Sequence, residues 1–105
     1  MPQFAVYRNA DPRTNAVFPF LVDVQVDLLR DLHTRVVVPM AKARAPETFP
    51  LTHLTPTVDF DGETYVLMTP QLAGVSRAEL GPHAGSVGDQ WSAISTAVEF
   101  LVRGF

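Results

Sequence analysis
Thr57-Val58-Asp59-Phe60-Asp61-Gly62-Glu63-Thr64-Tyr65-Val66-Leu67-Met68-Thr69 reads as two strands joined by two residues. Asp-Gly suits such a turn because both central residues take φ > 0, which matches the twist of the flanking strands. The stretch therefore predicts an antiparallel hairpin joining Val58-Asp59-Phe60 to Thr64–Met68. Towards the N-terminus, Gln3–Tyr7 alternates, with Phe4 and Val6 on one face, and predicts an opening strand. Asp11-Pro12-Arg13-Thr14-Asn15 is a polar loop with turn chemistry. Phe18–Gln25 alternates again, placing Phe20, Val22 and Val24 on one face and Leu21, Asp23 and Gln25 on the other. Leu28-Leu29 follows in a short polar-flanked connection, and Arg35–Val38 is a β-branched run closed by Pro39, which predicts a buried strand. Beyond the hairpin, Gln71–Val75 is a further short strand candidate.

The period changes at the C-terminal end. Trp91, Ile94, Val98, Leu101 and Phe105 follow the 3-4 spacing of an amphipathic helix, with Ser92, Thr96, Glu99 and Arg103 opposite. Asp89 is placed as N-cap or first-turn acid, and Gly104 where the helix ends. Many short strands followed by one helix predict a small, mainly β, α+β or barrel-like domain occupying residues 1–105. Trp91, Ile94, Val98 and Leu101 are expected to pack the helix on the sheet. Phe100, Val102 and Phe105, close to the last residue, are candidates for a dimer seam or a binding tip.

Composition narrows the function classes. With 47% hydrophobic and 18% charged residues and a mean hydropathy of +0.12, the 105-residue chain is rich enough in apolar groups to fold. It has no cysteine, so a disulfide framework or a thiolate metal site is excluded and a reducing, cytoplasmic setting fits. Met1-Pro2-Gln3-Phe4 has neither the basic nor the apolar region of a signal peptide, and no apolar run approaches the roughly 20 residues that span a bilayer. A net charge of −3 argues against direct nucleic-acid binding, which needs a basic face.

No catalytic constellation emerges. Asp23 and Asp27 form a possible carboxylate pair without a neighbouring His or Lys, and are expected to be solvent-facing. Asp59 and Asp61-Gly62 resemble the start of a calcium loop but lack its closing Glu, and a hairpin turn accounts for them. His33, His53 and His83 have no metal-ligand spacing, and Ser76, Ser86 and Ser92 have no nucleophile-elbow context. Arg35, Lys42 and Arg44 form a loose basic cluster expected to be a solvated edge. No metal or cofactor is implied.

Taken together, these segments resemble the CcdB toxins of toxin–antitoxin modules. The matching pieces are Gln3–Tyr7, Phe20–Gln25 with Asp27-Leu28-Leu29, Thr34–Met40 with Ala43-Arg44, Leu54–Val75 and the terminal helix ending at Phe105. Val22-Asp23-Val24-Gln25 followed by Asp27-Leu28-Leu29 is the most specific of them. The resemblance implies an SH3-like antiparallel β-barrel with a small extra sheet and a C-terminal helix, and a homodimer. It implies a non-enzymatic plasmid-maintenance toxin that binds the DNA gyrase A subunit and traps the cleaved DNA complex. It also implies neutralisation by a CcdA-like antitoxin whose disordered segment wraps the toxin.

Carried over by position, the gyrase-contact candidates are Leu28 and Leu29 in the loop and Leu101, Val102, Arg103, Gly104 and Phe105 at the helix end. Well-known members end in Trp-Gly-Ile, where this chain has Arg103-Gly104-Phe105, and Glu99 stands where they carry an amide. The alternatives are a CcdB-fold protein that has lost gyrase poisoning and a MazF/Kid-like endoribonuclease on the same barrel. The latter needs a basic RNA groove and an N-terminal Arg-Gly-acid segment, neither of which is present in the sequence.

Overall fold
A computed structural model describes residues 2–43 and 53–104. Arg44 and Phe105 lie outside these residues. The fold is mainly β: a curled antiparallel half-barrel sheet and one C-terminal helix. Its strands are β1 (Ala5–Asn9), β2 (Phe20–Asp23), β3 (Thr34–Lys42), β4 (Thr57–Phe60), β5 (Glu63–Leu67), β6 (Ala73–Ser76) and β7 (Leu80–Ser86), followed by α1 (Trp91–Arg103). The sheet order is β4-β5-β3-β2-β1-β7, with β6 branching off β3. The hairpin forms as the Asp-Gly turn requires: Asp61 has φ 52° and Gly62 φ 80°, and Phe60 pairs with Glu63.

β3 is the hub. Its first half, Thr34–Val37, pairs with β6, and its second half, Met40–Lys42, pairs with β5, while β2 runs along its other side. Pro39 does not close this strand, as its sequence position implied, but lies inside it opposite Leu21. The reason is local. In a strand, N–H and C=O of one residue point to the same side, and the Pro39 carbonyl accepts from Met68 N–H at 2.9 Å. The missing donor therefore faces the gap where β3 exchanges β6 for β5, where no ladder bond is lost.

Register places Val6, Val22 and Val38 in one row and Phe20, Met40 and Leu67 in another on the same face. Ile94 and Ala97 of α1 close over them, and all eight are buried. Phe20 packs edge-on against Phe60 (centroids 5.2 Å apart) and Tyr65 (5.6 Å), the arrangement that aromatic quadrupoles favour.

β7 has no counterpart among the predicted strands. Leu80-Gly81-Pro82-His83-Ala84-Gly85-Ser86 carries two glycines and a proline, the composition of a loop. Pairing with β1 makes it a strand, and a register shift opposite Arg8 accommodates Gly81 and Pro82. A Cβ on Gly81 would stand 2.5 Å from the Arg8 carbonyl oxygen, so this close approach requires glycine.

Candidate protein-docking site
The loop after β2 contains a single 3-10 turn, Asp27–Leu29, and every residue from Val26 to Thr34 is exposed. Leu28 is 86% exposed, and Val26, Leu29 and Leu32 are exposed beside it in sequence. The turn is closed by Leu29 N–H to Val26 C=O (3.0 Å) and Arg30 N–H to Asp27 C=O (3.0 Å). The Asp27 carboxylate accepts from the backbone N–H of Gln3 at 2.6 Å, which ties the loop to the start of β1.

The helix end supplies the second apolar group. Its buried stripe is shorter than the sequence spacing implied: Ile94 and Ala97 are buried, Val98 is half-buried, and Trp91 (58% exposed) and Leu101 (39%) are not core residues. Leu101 lies only about 20° around the helix from Ile94 but about 10 Å further along its axis. It faces the sheet's direction while overhanging its edge. Val102 is 74% exposed, and Arg103 in the last turn suits the negative end of the helix dipole. Gly104 ends the helix at φ 80° and donates its N–H to Phe100 C=O at 2.9 Å. At the other end the residue before the helix is Gln90, not Asp89, which lies in the preceding 3-10 turn. The Gln90 side chain bonds both the N–H and C=O of Asp59 at 2.8 Å, clamping the hairpin to the helix start.

A cleft of about 150 Å³ lies between the start of the chain and the helix; Gln3, Phe4 and Val24 form one wall and Ile94, Ser95, Val98 and Glu99 the other. Gln3, which holds Asp27, also donates its side-chain amide to Val24 C=O at 3.1 Å. Phe4 takes φ 69°, a costly conformation for an aromatic residue, held by bonds to Asp23 C=O (2.6 Å) and from Val87 N–H (3.0 Å). The structure thus places Leu28, Leu29, Leu101, Val102, Arg103 and Gly104 at the surface.

Asp23 and Arg35 depart most from expectation. Neither is solvent-facing; both side chains are completely buried and form an ion pair, Arg35 Nε donating to Asp23 Oδ2 at 2.7 Å. Asp23 is opposite Val37 in register, so Arg35 is its diagonal neighbour on the same face, within reach of a long side chain. Asp23 Oδ1 accepts from Gln25 N–H at 3.0 Å. Tyr7 shares this environment: burial raises its pKa, the Asp23 carboxylate adds to the rise, and Arg35 and Arg77 oppose it. Burial likewise raises Tyr65, reinforced by Glu63 and Asp61.

These are the chain's two tyrosines. Since both folded pKa values lie above the unfolded value near 10, unfolded chains release the protons first. The stability held by neutral phenols is full below pH 10 and falls as the pH rises further. An absorbance titration of phenolate is expected to lag behind that of free tyrosine and then to coincide with loss of the circular-dichroism signal.

Six of the remaining polar candidates have structural partners. Ser76 caps the 3-10 turn Arg77–Glu79 in a capping box with Glu79. Ser86 Oγ accepts from Gly88 N–H, and Asp59 accepts from Thr64 Oγ1. The His83 ring meets Tyr7 edge-on at 5.5 Å, and the His53 ring stacks on Phe100 at 6.5 Å. Lys42 pairs with Glu63 at 3.5 Å on the surface. A shallow groove of about 510 Å³ on the Leu21–Pro39 face carries Arg13 on its rim, whose hydrogen bond holds the Asp11 carboxyl below the usual carboxylate range. Among the described residues there is no cluster of three His, Asp or Glu that holds a metal ion, and no helix is long and apolar enough to cross a membrane.

Comparison with known structures finds similarity to a chain of an endoribonuclease in complex with its cognate antitoxin, from Mycobacterial species. The match has 18% identity and a TM-score of 0.74, and covers 97% of this chain and 94% of the other. At that identity it establishes the common fold. The family model described as CcdB protein matches residues 3–104. With the half-barrel, the overhanging helix and nearly the whole chain accounted for, the protein belongs to the CcdB family, toxins of toxin–antitoxin modules.

Proposed function
We propose that this toxin docks on the DNA gyrase A subunit through the helix end and the Leu28–Leu29 loop, and traps the cleaved DNA complex without itself catalysing a reaction. The observation that carries the reading is the exposure of Leu28 and Leu29 on the loop and of Leu101 and Val102 at the helix end. Exposed apolar groups on a small domain with a complete core are the mark of a docking surface. Family membership supports gyrase as the partner, together with a cytoplasmic homodimer, a role in plasmid maintenance and a CcdA-like antitoxin that folds as it binds. Nucleic acid is then held by gyrase rather than by this acidic chain.

Supercoiling and cleavage-complex assays with purified protein test this, with sedimentation expected to give a dimer at micromolar concentration. Linear DNA accumulating with toxin is the expected result. A folded protein that binds antitoxin and leaves gyrase untouched is instead a member that has lost poisoning. The endoribonuclease named in the structural match motivates a second reading. RNA cleavage by the pure protein, abolished by one substitution, establishes that reading and removes the first.

A further inference from the structure
The loop presenting Leu28 and Leu29 has no buried side chain to anchor it. Apolar burial therefore does not order it, and polar tethers must. One of them is a side chain that is itself buried. Gln25 accepts Val36 N–H on its amide oxygen at 3.1 Å and donates its amide nitrogen to Leu29 C=O at 2.9 Å. One amide thus spans from β3 to the middle of the exposed loop. The Leu29 carbonyl also accepts from Leu32 N–H at 3.1 Å, so the loop's second turn closes on the same acceptor. The other end is fixed by Gln25 N–H on Asp23, which is locked by Arg35.

Resting on the gyrase reading, we propose that Gln25 is a positioning residue of the docking site, fixing Leu28 and Leu29 in their binding arrangement before the partner arrives. Being buried, its side chain is not itself the docking contact. It acts by removing the ordering cost that a loose loop would otherwise incur on binding. The amide is suited to this because it offers one acceptor and one donor, and the two backbone groups it meets need one of each.

The test uses the full chain, wild type against Gln25→Met and Gln25→Glu, with hydrogen-exchange protection and gyrase binding as readouts. Gln25→Met keeps the volume and removes both bonds. Its Leu29, Arg30 and Leu32 amides are expected to lose protection at least tenfold while β1, β2 and β3 keep theirs, and gyrase binding at pH 8 is expected to weaken about tenfold. Gln25→Glu behaves likewise at pH 8, where a carboxylate faces the Leu29 carbonyl. At pH 5 the protonated acid again offers a donor and an acceptor, and loop protection should return, whereas the Met variant shows no recovery. Burial beside Asp23, with Asp27 on the loop, favours that protonation, and Arg35 and Arg77 are the cations that oppose it.

Protection lost evenly across the sheet, or a folded Gln25→Glu protein without recovery at pH 5, overturns the proposal. A wild-type protein that does not bind gyrase removes that partner, and the exchange data alone then support or overturn the positioning of the loop.

Discussion

Arg35→Met lowers the stability of the fold by about 3–5 kcal/mol, the cost of leaving one member of a buried ion pair behind. Arg35 and Asp23 are both inaccessible to solvent and meet at 2.7 Å. Without the guanidinium, the carboxylate keeps the Gln25 N–H, but its charge has no buried countercharge. Domains of this size are stable by only about 5–15 kcal/mol, so the variant approaches the edge of folding. Urea unfolding reads the effect as a lower midpoint at unchanged slope. The double variant Asp23→Leu/Arg35→Met is expected to lose less than the single one, since two apolar side chains leave no charge stranded. A single variant within about 1 kcal/mol of wild type shows that water reaches the site, and that the pair is not sealed as described.

Deleting Arg103, Gly104 and Phe105 is expected to weaken gyrase binding by about 2–4 kcal/mol, the loss typical of removing anchor residues. The helix is held to the sheet by Ile94 and Ala97, well before the cut. The last turn already has carbonyls without helical partners, and truncation removes just the final helical residue and the Gly104 N–H bond to Phe100. Circular dichroism and melting temperature should therefore change little while growth inhibition disappears. Phe105→Ala alone should cost more than about 1 kcal/mol of binding if the ring is an anchor. On a gyrase that presents an arginine at this contact, Arg103→Trp should hold or raise potency by adding a stacking surface, worth about 0.5–2 kcal/mol. A truncated protein that stays folded and fully toxic places the site elsewhere. One that unfolds makes Phe105 a structural residue.

What was legible in the sequence follows from which signals are local. The Asp61-Gly62 hairpin, the alternation of Phe20, Val22 and Val24, and the glycine ending the helix each depend on neighbours in sequence, and each formed. β7 was not legible because its strand state comes from β1, about 75 residues away, and its own composition argues for a loop. Alternation put Asp23 on the face opposite the core correctly, but face is not exposure. Its burial depends on Arg35 arriving on the next strand, a partner that no periodicity reveals. The helix stripe had the right angular spacing and the wrong length, because periodicity does not show where the underlying sheet stops. Leu28 and Leu29 were found through family resemblance. Gln25 lies in the most specific piece of that resemblance, but nothing in the sequence says that its amide reaches the Leu29 carbonyl.

The pairing of β1 with β7 also sets when the molecule comes into being. Ala5–Asn9 precedes its edge partner, Leu80–Ser86, by about 75 residues, and the core-sealing helix comes later still. At about 5–20 residues per second, roughly 4–15 s of translation separate the two, and until then the earlier strand has only β2 beside it. Contacts so distant along the chain also make folding slow once they become available. A chain interrupted before residue 91 lacks the helix, and with it half of the docking surface proposed above. On that reading the toxin can act only once its helix has been made and seated.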